Sequence, residues 1–161
     1  MKWPLKALAN ILLIAMSTMG ALAQDATEIT ADKFVVDEGS SRATFSGNVE
    51  IRQPDLTVWA NTVVVRYGPG GPSDLRDFEA VGNVRIKQPE QTATGDRGVY
   101  DPKVRILTLT GNVVVTNESG TVSGPELVVD IAKGTSAFTG GKSGGGRVTG
   151  IFTAPEGPAG E

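Results

Sequence analysis

The sequence predicts an all-β protein, and three features carry that prediction. Short runs rich in Val, Ile and Thr follow one another from Thr27 to about Phe152, punctuated by Gly, Pro, Asn and Asp. None of them sustains a helical period, so the pattern is that of a sandwich, barrel or solenoid of short strands. Two motifs also recur through the chain at matched spacing, which is the mark of stacked units sharing one core.

The first motif is Ser46-Gly47-Asn48-Val49-Glu50-Ile51. It returns as Val81-Gly82-Asn83-Val84-Arg85-Ile86 and as Thr110-Gly111-Asn112-Val113-Val114-Val115, at offsets of 35 and 29 residues. The second begins at Ala31-Asp32, Ala60-Asn61, Gly95-Asp96 and Gly124-Pro125, each followed by an apolar run, at offsets of 29, 35 and 29. A decayed fourth copy of the first motif sits at Ala137-Phe138-Thr139-Gly140-Gly141. The longer repeat is explained by Gly68-Pro69-Gly70-Gly71-Pro72-Ser73, a turn-forming insertion expected to be a plain surface loop. A second glycine-rich loop is expected over 140–146.

Side chains alternate across a strand, so parity sorts each run into two faces. In the first repeat Phe45, Gly47, Val49 and Ile51 share one face, against Asn48, Glu50 and Arg52. The second gives Val84 and Ile86, and the third Leu107, Leu109, Gly111, Val113 and Val115. In the interleaved motif Phe34 and Val36, Val63 and Val65, Gly98 and Tyr100, and Leu127 and Val129 are equivalent and are assigned inward, with Phe138 in the decayed unit. A bulge near Ala60-Asn61 would shift the parity of Leu56, Val58 and Trp59, whose face stays open. These residues can be the self-satisfied core of a sandwich. Their medium size, with only 6% aromatic residues in the chain, also fits an apolar trough between two sheets.

The N-terminus carries Lys2 and Lys6, an apolar stretch over 7–16 and the small residues Ala21-Leu22-Ala23. That is the pattern of a secretory signal cleaved before Gln24. Asn10, Ser17, Thr18 and Gly20 keep the stretch short of the roughly 20 apolar residues of a spanning helix. The reading is a signal over 1–23, one β domain over 24–153 and a frayed tail over 154–161.

Composition narrows the function. The chain has no Cys, so no disulfide staples or lipid-bearing cysteine are available, and no His, which removes most catalytic and transition-metal options. Its net charge is −3, and removing 1–23 makes it more acidic, with no basic cluster to suit nucleic acid. Gly68 to Pro72 lacks the Lys-Ser/Thr that follows in a phosphate-binding loop. Asp32, Asp96 and Asp101 could form a carboxylate cluster, but acids beside Gly or before a strand usually serve turns or the solvated face. Asn117-Glu118-Ser119 is read as a turn although it fits a glycosylation sequon. Arg76, Lys142 and Arg147 are candidate contacts for lipid phosphates.

In order and spacing, Phe45 to Ile51, Ala60 to Val65, the Gly-Pro insertion, Leu107 to Val113 and Gly146-Arg147-Val148-Thr149 together resemble the OstA-like (LptA) family of periplasmic lipopolysaccharide transport proteins. The resemblance spans Ile29 to Pro155, with Gly140-Gly141 departing from it where a fourth Gly-Asn belongs. It implies a slightly open antiparallel β-jellyroll of about four repeated units. It further implies a non-enzymatic carrier or bridge, without cofactor, that passes lipopolysaccharide between the two membranes. The inward set named above would then hold the lipid A acyl chains.

Implied partners are an LptC-like inner-membrane protein, the N-terminal domain of an LptD-like outer-membrane protein, and further copies of the chain end to end. Thr27 to Val36 and Arg147 to Thr153 are the expected docking edges. Two other functions stand beside this one: a self-assembling structural β-solenoid, and a β-sandwich hydrolase working through carboxylates such as Asp96.

Overall fold

The structure, a computed structural model, describes residues 27–140 and 146–153. The signal assigned to 1–23, the tail at 154–161 and Lys142 lie outside the described residues. Among the described residues ten strands form one antiparallel sheet: β1 (Glu28–Thr30), β2 (Lys33–Asp37), β3 (Arg42–Gln53), β4 (Leu56–Gly68), β5 (Gly71–Lys87), β6 (Gln91–Asp101), β7 (Ile106–Asn117), β8 (Gly120–Asp130), β9 (Thr135–Thr139) and β10 (Thr149–Phe152). From β3 to β8 each strand pairs with its sequence neighbour. β1 and β2 share the free flank of β3, and β9 and β10 share that of β8. The sheet therefore does not close, and the antiparallel pairing departs from the stacked parallel coils of a β-solenoid.

The repeated motifs have a mechanical explanation. Gly47-Asn48, Gly82-Asn83 and Gly111-Asn112 all take positive φ, between 46° and 82°. Only glycine, and to a lesser degree Asn, adopts this region without a large penalty. Each pair is a bulge in which two residues oppose one on the neighbouring strand. The single residues on the even strands are Asn61, Asp96 and Pro125. The bulges lie on one line across the sheet, and there every strand bends. One continuous sheet thus doubles into two layers with their apolar faces together, an open β-jellyroll.

Asx side chains also finish the hairpins. Asp101 Oδ1 accepts from the amides of Lys103 and Val104, and Asn117 Oδ1 from those of Ser119 and Gly120. Asp37 and Asp130 do the same in their own turns, and both carboxyls are held below the ordinary aspartate range, chiefly by bonds from Ser40 and Lys133. The turn assignment of Asp101 and Asn117 therefore stands.

The insertion corrects an expectation. Only Pro69 and Gly70 form a turn, and Gly71 to Ser73 already belong to β5. The extra residues lengthen the β4–β5 hairpin because Asp74 bonds Lys103 of the β6–β7 turn at 3.2 Å and Leu75 packs against the core.

Candidate functional site

The site is the apolar interior between the layers, and it is built from rungs. Cross-strand partners face the same side, so the register sets each rung. One runs Phe34, Phe45, Val63, Ala80, Gly98, Leu109, Leu127, Phe138, one residue from each of β2 to β9. The next runs Val36, Ala43, Val65, Phe78, Tyr100, Leu107, Val129, Ser136. Beyond the bulge line a third runs Ile29, Ile51, Val58, Ile86, Ala93, Val115, Val122, Gly150. Val49 with Ala60, Val84 with Gly95, and Val113 with Gly124 make a shorter row beside the line.

Every residue assigned inward from the sequence falls on these rungs except Gly47 and Gly111. Those two were grouped with the inward face by simple parity, but their left-handed backbone places them in the bulges. The rungs also hold Ile29, Ala43, Val58, Phe78, Ala80, Ala93 and Val122; of these Ala43, Phe78 and Ala80 share the parity of the residues assigned inward on their strands, and Ala93 and Val122 run against it. For Ala93 and Val122 the missing signal was a change of phase at Asp96 and Pro125, as at Asn61: inward residues are three apart there (Ala60 and Val63, Gly95 and Gly98) but four apart on the Gly-Asn strands, where parity is kept. The same shift settles the open case. Leu56 and Val58 turn in, and Trp59 turns out beside Glu50 and Arg85.

Exposure varies along the rungs in an ordered way. Val49, Val63, Val84, Leu109 and Val113 are all below 2% exposed, so the middle of the interior is filled by protein. Toward the free edges the same face opens: Phe34 is 54% exposed, Val36 37% and Phe152 69%. Phe34 stacks on Phe45 with ring centroids 4.5 Å apart. Phe78 and Tyr100, 6.3 Å apart, lie toward the β4–β5 turn end, near Leu75. The opposite turn end is polar, with a concavity of about 700 Å³ bordered by Asp55, Gln88, Glu90, Gln91, Asn117 and Glu118.

The outward faces differ between the halves. On one, Arg66 pairs with Asp77 and Glu79, and Arg97 bonds Glu79 at 2.7 Å. Hydrogen bonds from Arg66 and then Arg97 hold the Glu79 carboxyl below its ordinary range, and Glu79 and Asp77 raise the Arg66 guanidinium. Asp32 and Asp96 do not converge on one another: each serves its own bulge. Among the described residues no group of carboxylates is placed to hold a metal ion. Arg76 and Arg147 are exposed, at the β4–β5 hairpin and before β10.

An open antiparallel jellyroll with an apolar interior and unpaired edges is the fold class, and comparison with known proteins gives the family. Residues 28–135 match the model of the LptA/(LptD N-terminal domain) LPS transport protein family, and the chain belongs to that family. An uncharacterized protein of Rhizobium meliloti (strain 1021) is 31% identical over 101 residues. That match takes in 59% of this chain, which spans about half, 54%, of the relative's length. The fold is shared with the crystal structure of LptH of Pseudomonas aeruginosa, described as the LptA-homologous periplasmic component of the lipopolysaccharide transport device. The TM-score is 0.69 at 19% identity, covering 81% of this chain and 97% of that one.

Proposed function

We propose that the chain is a periplasmic carrier that shields the acyl chains of lipopolysaccharide between its two layers and hands the molecule from the inner to the outer membrane. The observation that carries this reading is the set of apolar rungs, which cross β3 to β8 and lead to exposed apolar side chains at both unpaired edges, Phe34 and Val36 at one and Phe152 at the other. Burying one CH₂ contributes about 0.8 kcal/mol, so an acyl chain of ~12 methylenes exposed to water forfeits roughly 10 kcal/mol. An apolar face offsets that cost with no nucleotide, metal or titrating group.

The packed middle adds a condition. A guest hydrocarbon has to part the layers or replace their mutual contacts, and the sheet permits this because it is open along β1–β2 and β9–β10. Protein–protein contacts between the layers then exchange for protein–lipid contacts of the same chemistry. The empty carrier is thereby kept from exposing a long greasy surface.

The same edges suit end-to-end assembly. An N-terminal edge pairing with a C-terminal one is a heterologous contact that propagates instead of closing. The edge at Thr27 to Val36 would dock an LptC-like anchor upstream, and the edge at Arg147 to Thr153 a further copy or the N-terminal domain of an LptD-like protein downstream.

Photo-crosslinking tests the interior. A probe at Ile86 or Val129 is expected to capture lipopolysaccharide in cells, and one at Thr108 or Val99 on the outer face is not. Equal capture from both faces would remove the interior as the lipid site.

A further inference from the structure

The outer face of the second layer, on the far side of the sheet from the rungs, is unlike the rest of the surface. Two outward rows cross it beside each other. One carries Arg52, Thr57, Lys87, Thr92, Thr116 and Thr121 in register, and the other Glu50, Trp59, Arg85, Thr94, Val114 and Ser123. From β4 to β8 these rows hold no carboxylate, in a chain with 18 acidic residues against 15 basic ones. On the opposite outer face Arg66 and Arg97 are engaged by Asp77 and Glu79.

Here Arg85 and Lys87 stand exposed, and neither pairs with a carboxylate among the described residues. Arg85 instead lies over the Trp59 ring, its guanidinium carbon 5.3 Å from the centroid. A concavity of about 280 Å³ is bordered by Trp59, Thr57 and Lys87, with Arg52, Glu50 and Asp55 at its margin; Glu50 is paired with Arg52, which leaves Lys87 and the neighbouring Arg85 for a ligand.

We infer that this face is a binding site for an anionic saccharide, a sugar bearing phosphate or carboxylate groups. Three sets of side chains on this face suit that class. Arg85 and Lys87 supply charge-assisted donors for the anion. The threonine row offers hydroxyls that both donate and accept, as sugar hydroxyls require. Trp59 gives an apolar plate of the kind a pyranose face packs on, and Arg85 fixes its orientation. The site is separate from the interior, so it can engage a saccharide whether or not acyl chains are bound.

Two sources share this chemistry: the phosphorylated sugars of lipopolysaccharide and a carboxylated glycan of another kind. The choice of the first as a probe rests on the proposed function, and the choice of the second does not.

Calorimetry with the full chain tests the inference. The probes are deacylated lipopolysaccharide, a carboxylated oligosaccharide without phosphate, and a neutral oligosaccharide. At least one anionic probe is expected to bind, more weakly as salt rises, and the neutral one markedly less. R85Q/K87Q is expected to lose about tenfold or more in affinity, as removal of charge-assisted bonds predicts, while Lys103→Gln in the distant β6–β7 turn leaves binding intact. Binding of the first anionic probe alone assigns the site to lipopolysaccharide sugars, and binding of the second to a glycan class in general.

No binding of either anion, or equal affinity in R85Q/K87Q, overturns the inference. Because no probe carries acyl chains, such a failure leaves the crosslinking result at Ile86 and Val129 to be judged by itself.

Discussion

The Asn48 side chain donates to Asp32 Oδ2 at 2.9 Å, and Asn112 repeats the bond to Asp96 at 3.1 Å. Asn83 makes the looser version, 3.5 Å to Asn61. In each pair the Asx precedes the bulge by one strand and lies against its glycine. A Cβ added to Gly47 or Gly111 would come 2.4 Å from that carboxylate, and one on Gly82 would come 2.5 Å from Asn61 Nδ2. The repeated motifs are thus two halves of one joint.

Gly111→Ala is expected to lower stability by about 1–3 kcal/mol, from the left-handed backbone and the contact with Asp96 together. Urea unfolding followed by circular dichroism measures it. Gly134→Ala, which shares the positive φ but has open space around the added carbon, should lose less. An equal loss in the two would leave the Asx contact with no part in the joint.

The Glu79 network sets a pH dependence. The folded-state carboxyl lies below the ordinary glutamate value of 4.5, so the folded protein binds this proton less tightly than the unfolded chain. The contribution is complete above 4.5 and is lost as pH falls through the lowered folded value. Because Arg66 and Arg97 are partly exposed, it amounts to about 1 kcal/mol. Stability of Glu79→Gln should therefore fall less steeply than wild type below pH 5 and lie closer to it there. Parallel curves would refute the assignment.

Docking through the first edge predicts that Ile29→Pro weakens capture of the upstream partner in a pull-down, since proline removes a backbone donor and stiffens the strand. The melting temperature should fall only modestly, because β1 has three residues and only β3 beside it, with Ile29 at the margin of the core. Undiminished capture would show that β1 is not the docking strand.

Much of this was legible in the sequence because repetition exposes phase. The inward valines and leucines follow from alternation alone wherever a strand is straight, as at Leu107-Leu109 and Val63-Val65. Alternation failed where the chain bends, since a bulge changes the count without changing composition. Ala93 and Val122 were lost that way, and Val58 stayed open for the same reason. The Asn–Asp bonds were also hidden, because Asp32 and Asn48 belong to different motifs and read separately as turn residues. Exposure along a rung is a property of the fold's open edges and has no local sequence signal.

Both boundary strands are broken in two at the bend. The first edge offers three residues, a gap at Ala31-Asp32 and then five, and the last offers five, a gap and then four. A straight strand arriving from another molecule can therefore zip onto only one piece before it diverges from the other. Full-length pairing demands a newcomer creased at the same place, and a domain with the same bend supplies that shape. Strands of misfolded or unrelated proteins do not, so the crease acts as a filter on what may join the end of the sheet.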